Sequence, residues 1–286
     1  MLSWPLCLNT STIRPASLAD KIAIAFQSGY SAIEPWSNEL DAFEKGRTLA
    51  EIRRRLADAG LKVPSVIALS NWMQSEGREK ETAFSEAQRR MEQAVAIGAS
   101  KIVASPTPDC SHVDINRAAD RYCELLELGE KVGVMPCMEF LGFQRNVYQL
   151  EQAVAIARQT DHPSASIVLD PFHLYRGGSG FGGIRFLSEV KIAICHFNDA
   201  PPAPSQFDQS DSDRVYPGDG ILPLEQMLRD LSSIGYDGYV SVELFNPAYW
   251  QMDLKQVARR AYEKSTAIIS IASARATYTA NTGAHD

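Results

Sequence analysis

Ser166-Ile167-Val168-Leu169-Asp170-Pro171-Phe172-His173 is a short apolar run closed by an acid, with a histidine three positions on. The run has the length and the β-branched content of a buried strand. The stretch before it, NVYQLEQAVAIARQT (146–160), carries its apolar residues at helical spacing, and IAICHFND (192–199) after it is another apolar run, closed by His196 and Asp199. Strand, helix and strand in that order form the unit of a parallel sheet.

The same alternation extends in both directions. Upstream lie PLCLNT (5–10), SAIEPW (31–36), VPSVIALS (63–70), KIVASP (101–106) and VMPCMEF (134–140) as strands. Between them are helical stretches such as SLADKIAIAFQSG, with Ser17 as N-cap and Gly29 as stop. One charged helix is expected to run through EIRRRLADAG to Gly60, and a glycine-rich loop, YRGGSGFGG, is expected after strand six. Downstream, a Pro/Ser/Asp-rich loop covers 200–220, followed by the helix LEQMLRDLSSIG, the strand YVSVELF (239–245) and a closing helix. Eight uninterrupted strand–helix units predict one α/β domain, a (β/α)8 TIM barrel over residues 1–274. The polar remainder, 275–286, is expected to be a flexible tail.

Bulk properties narrow the function. The chain has 286 residues, 45% hydrophobic and 22% charged, with a formal charge of −7. A nucleic-acid partner needs clustered Lys and Arg, which this balance does not offer. No run reaches membrane-spanning length and MLSWPLCLNT lacks a signal-peptide pattern, so a cytoplasmic protein without membrane contact is expected. Five scattered cysteines without a CxxC pair read as free thiols. Cys195, beside His196, would face the helices if His196 faces the barrel interior. There is no GxGxxG, GxxxxGK[ST], HExxH or GxSxG, and no nucleotide cofactor site is expected.

In a parallel barrel the C-terminal ends of the strands build the site. The chain places Asn9, Glu34, Ser70, Pro106, Glu139, Asp170, His196 and Glu243 there. Glu139, Asp170, His196 and Glu243 form an oxygen-rich set with one imidazole, suited to one divalent ion: Mn²⁺, Zn²⁺, Co²⁺ or Mg²⁺. Three carboxylates facing one point repel without a cation. His173, just outside its strand, suits a substrate hydroxyl. Asp199 suits orienting a ligand or pairing with Arg214, and Glu34 is either a rim group or a buried structural carboxylate. Arg214, in DRVYPGDG, offers a planar fork to a substrate oxygen or a carboxylate.

At these residues the chain resembles the xylose-isomerase-like sugar isomerase/epimerase barrels, most nearly the bacterial inosose isomerases. The matching motifs are LCLNTST, SAIEPW, MEFLG, VLDPFH, CHFNDA, DRVYPGDG and VSVELFNPAYW. The resemblance implies a metal on Glu139, Asp170, His196 and Glu243, with Glu139 and Glu243 also acting as the acid/base pair. His173 and Arg214 would contact a small keto-sugar or keto-cyclitol. The implied chemistry is proton abstraction alpha to a carbonyl and a metal-stabilised enediolate, and the family analogy suggests a homo-oligomer. Pro35-Trp36 and Ser70-Asn71-Trp72 depart from the family pattern on the substrate side of the rim, which adds Trp72 to the expected substrate contacts. Related barrels run lyase chemistry on the same metal set, dehydrating 3-dehydroshikimate or cleaving 3-keto-glycosides. A nuclease of the endonuclease IV type would need more histidines and a basic face. A non-catalytic barrel would have a broken ligand set.

Overall fold

A computed structural model describes residues 4–106, 112 and 114–282, with side chains to 274. Eight parallel strands follow one another around a barrel: β1 (Leu6–Asn9), β2 (Ala32–Glu34), β3 (Ser65–Leu69), β4 (Lys101–Ala104), β5 (Met135–Met138), β6 (Ser166–Leu169), β7 (Lys191–Phe197) and β8 (Val240–Val242). Regular pairing runs from β2 through β1 and β8 round to β3. Between β2 and β3 the barrel is held by isolated bridges. Pro35 has no N–H to donate, which stops β2 at three residues, but its carbonyl accepts from Ile67 N (3.0 Å).

The helices of the outer layer are α1 (Leu18–Ser28), α2 (Ser37–Glu44), α3 (Leu49–Asp58), α4 (Gly77–Ala96), α5 (Ile115–Val132), α6 (Leu150–Gln159), α7 (Pro171–Arg176), α8 (Leu224–Ser233), α9 (Pro247–Trp250) and α10 (Leu254–Thr282). Ser17 caps α1 and Gly29 ends it at φ 95°, as expected. The charged helix expected to end at Gly60 is two helices, parted around Gly46, where propensity is poor. Part of the expected glycine-rich loop is α7, capped by Asp170 with Pro171 in its first turn, a start signal that SIVLDPFH carries openly. Helix α10 runs past residue 274 to Thr282, through a stretch free of Gly and Pro; residues 283–286 lie outside the described residues, as does Cys110.

Two apolar layers result. Ile67, Val103, Cys137, Val168, Ala193 and Ile194 fill the barrel. A larger shell, including Cys195, packs between strands and helices. Burial pushes the Cys195 thiol far up, which disfavours the thiolate a nucleophile needs. Buried polar groups converge at the C-terminal rim, where Glu139, Asp170 and Glu243 follow their strands and His196 lies next to the end of its own. Among the described residues no helix is long and apolar enough to cross a membrane.

Candidate metal centre

The four expected ligands meet at that rim. Glu139 follows β5, Asp170 follows β6, His196 lies within β7 and Glu243 follows β8. Glu139 and Glu243 sit one residue beyond their strands yet stay tied to the neighbouring one: Glu139 N donates to Ala104 O (3.1 Å) and Glu243 N to Phe197 O (3.2 Å). Those bonds orient the carboxylates inward. Asp170 turns one oxygen, Oδ1, to the start of α7, where it accepts from Phe172 N (2.7 Å) and His173 N (3.1 Å). Oδ2 is left for the site.

One ligand atom from each of the four residues lies within 4.8 Å of the others. His196 Nδ1 is 3.2 Å from Glu139 Oε1, 3.2 Å from Glu243 Oε2 and 3.6 Å from Asp170 Oδ2. Ligands about 2.1 Å from a tetrahedral zinc stand about 3.4 Å apart, so the spacing fits an ion at the centre. His196 Nδ1 is also a buried nitrogen without a hydrogen-bond partner. A shared cation resolves that orphan and the carboxylate repulsion together, and these four residues could hold it.

Charge is arranged unequally around this point. Burial pushes Glu139 up to about 7 in the metal-free protein; His196 opposes the shift, while Glu243 and Asp170 add to it. Among the described residues, the one hydrogen bond to its carboxylate comes from Ser105 Oγ (3.2 Å). Burial would also raise Asp170, but Arg214, with His196, holds it well below the usual range. For His196 burial acts downward and is outweighed by Glu243 and Glu34, so the imidazole holds its proton well above its ordinary pKa.

Arg214 is 1% exposed. It reaches the centre on the loop between β7 and α8. Nη1 donates to Asp170 Oδ2 (2.8 Å) and Glu243 Oε2 (2.9 Å), and Nη2 to Asp211 Oδ1 (2.5 Å). Nη2 also lies 3.1 Å from His173 Nε2. Gly142 N donates to His173 Nδ1 (3.2 Å), which leaves the proton of the neutral ring on Nε2. Burial, with Arg214 beside it, lowers His173 to about 4, so the ring is neutral. Two donors, His173 Nε2–H and Arg214 Nη2–H, therefore face the same point, a geometry that an oxygen between them would satisfy.

Three expected substrate contacts are placed elsewhere. Asp199 does not pair with Arg214. Its carboxylate accepts from Gly218 N (3.0 Å), Gly220 N (3.1 Å), Leu222 N (2.9 Å) and Ala200 N (2.9 Å) and staples the loop that carries Arg214. Trp72 is fully buried against Tyr122, and its indole donates to Ser105 O (2.8 Å), so it supports the residue that bonds Glu139 and offers no face to a ligand. Of the two roles open for Glu34, the buried one holds: it is fully enclosed under His196. Asn9, Asn198, Ser105 and Asp211 were not assigned roles from sequence. Asn9 joins Glu34 Oε2 (2.9 Å) to Glu243 Oε1 (3.0 Å), and Asn198 Nδ2 donates to Asp170 Oδ2 (3.1 Å). For Asn9, Asn198 and Ser105 the only signal was a polar residue at the end of an apolar run; Asp211, inside the polar 200–220 loop, had none. Beside the centre a cavity of about 370 Å³ opens between Thr10, Ser11, Arg14, Trp36, Asn38 and Phe245.

The xylose isomerase-like TIM barrel family model matches residues 22–267. The chain belongs to this family. Inosose isomerase of Halalkalibacterium halodurans is 29% identical over 93% of this chain and 96% of its own length. That of Bacillus subtilis is 27% identical over 93% and 98%. A solved structure, the IOLI protein with a binding zinc atom, superposes with a TM-score of 0.87 at 26% identity, covering 93% of this chain and 98% of its own. A 3-dehydroshikimate dehydratase of Pseudomonas putida is 24% identical over 85% of this chain and 38% of its own length.

Proposed function

We propose that the protein is a divalent-metal-dependent isomerase or epimerase of a keto-cyclitol or keto-sugar, with an inosose as the first substrate to test. The observation that carries this reading is the pair of glutamates flanking one metal position, with His173 and Arg214 aiming two donors at one point beside it. The inosose isomerase relatives, aligned along nearly their whole length, support the choice of substrate. Bound at the four ligands, a divalent ion supplies Lewis-acid polarisation of a substrate carbonyl.

The protein's own groups do the rest. Arg214 and His173 hold a substrate oxygen, which fixes the ring so that a C–H alpha to the carbonyl meets a carboxylate. One glutamate takes that proton. For isomerisation a proton returns to the former carbonyl carbon, while the neighbouring hydroxyl gives up its proton and the former carbonyl oxygen gains one. For epimerisation a proton returns to the same carbon on the opposite face. Glu139, held at about 7 before metal binds, is the less strongly bonded of the pair. Glu243 is fixed from two sides by Asn9 and Arg214. The part of the substrate beyond the metal faces Trp36 and Phe245, whose rings meet edge to face at 5.7 Å.

A second reading, a dehydratase, shares the first proton removal and is favoured by the similarity to 3-dehydroshikimate dehydratase. The test is incubation of the metal-loaded protein with scyllo-inosose in D₂O, followed by NMR. Deuterium alpha to the carbonyl, with an isomeric ketone as product, is expected. No exchange with any keto-inositol, but loss of water from 3-dehydroshikimate, moves the assignment to the dehydratase. No reaction with either class refutes proton abstraction at this site.

A further inference from the structure

His196 presents Nδ1 to the metal position, and its other ring nitrogen meets a built acceptor. Nε2 lies 3.4 Å from Glu34 Oε1 and 3.3 Å from Oε2. Glu34 is fully buried at the end of β2, and other donors converge on it from strands around the barrel. Ser65 Oγ, on β3, donates to Oε1 (2.5 Å); Asn9 Nδ2, on β1, and Ser241 Oγ, on β8, donate to Oε2 (2.9 and 2.7 Å). A carboxylate supplied by that many donors keeps both its position and its charge.

A neutral imidazole has two tautomers. With the proton on Nε2 it donates to Glu34 and leaves the Nδ1 lone pair free. The reverse tautomer sets a lone pair against the Glu34 carboxylate and an N–H against the metal position. We propose that Glu34 is a positioning residue that holds one proton on Nε2 of His196, so that Nδ1 is the nitrogen that gives up its proton to take the metal; Asn9, Ser65 and Ser241 hold Glu34 in turn. This rests on the metal-centre reading above. Asn9 also bonds Glu243, so one amide ties the orienting carboxylate to a ligand carboxylate.

Removing such an orienting partner weakens metal affinity about 10–100-fold. Zinc affinity of wild type, Glu34→Gln and Glu34→Asp is to be measured by chelator competition, with folding checked by circular dichroism. The Gln variant should bind about 10–100-fold more weakly, and Asp, which keeps the charge, should recover part of the loss. A long-range ¹H–¹⁵N spectrum of zinc-loaded wild type needs no variant, and should show a protonated Nε2 and a metal-bound Nδ1 for His196. Zinc binding by Glu34→Gln within twofold of wild type, or metal on Nε2, overturns this inference and leaves the metal site standing. Wild type that binds no zinc overturns the metal-site reading, and this one with it.

Discussion

Arg214 and a metal ion would hold the same two oxygens, Asp170 Oδ2 and Glu243 Oε2, and Arg214→Met tests that overlap. Methionine keeps much of the length and apolar volume of the chain and removes its charge. In the metal-free protein the guanidinium is 1% exposed and bonds Asp170 at 2.8 Å and Glu243 at 2.9 Å. Breaking a buried ion pair by removing one partner costs about 3–5 kcal/mol, because the remaining charge stays buried and uncompensated. The third partner, Asp211, is 31% exposed and turns to water at little further cost. At roughly 2 °C per kcal/mol for a chain of this size, Tm falls by about 6–10 °C. Zinc then supplies positive charge to the same two oxygens. Its stabilisation should therefore be larger in the variant than in wild type, and the two melting temperatures should converge when zinc is added. Calorimetric scans of chelator-treated protein, with and without zinc, measure both shifts. An equal zinc-induced rise in the two proteins would show that Arg214 and the metal do not share these carboxylates, and would refute the reasoning.

Two further perturbations test the centre. Protons and metal compete for Glu139, which sits at about 7, so going from pH 8 to pH 6 should weaken zinc binding about tenfold through this group. Glu139 is mostly protonated at pH 6 and mostly ionised at pH 8, so calorimetry in buffers of different ionisation heat should find more proton release on zinc binding at pH 6. The raised His196 adds a further proton to displace. An affinity that is flat over this range contradicts the assignment. Gly142→Ala would bring a Cβ to 2.6 Å from Gly177 N and 2.7 Å from His173 O. It should cost about 1–3 kcal/mol in urea denaturation and raise KM for the keto substrate, since the Gly142 N–H that sets the His173 tautomer must move. A variant as stable as wild type with unchanged KM refutes that lock.

Much of the fold was legible because each strand is short, apolar and closed by a polar group, a local pattern that needs no distant partner to be read. The break at Gly46 and the helix α7 were equally local. A single charged periodicity spans both helices of the first and hides the break. The glycines that follow mask the Asp170-Pro171 start of the second. Side chains that act through long-range contacts were harder. Ser241 and Glu34 bond across 207 positions, and Trp72 reaches Ser105 from a neighbouring unit. Nothing near Trp72 in the chain tells whether its ring faces substrate or Tyr122.

The amino-acid order by itself determined the eight repeating units and the four residues that meet at the rim, since a parallel barrel sends every strand end to one face. The tertiary structure alone decided what each of those residues touches. It set Glu34 under His196, turned Asp199 onto the loop backbone, and swung Arg214 across two ligand carboxylates. Strand periodicity settles which side of the sheet a residue faces, whereas its partner is chosen by barrel register and by loops that close over the rim from far along the chain.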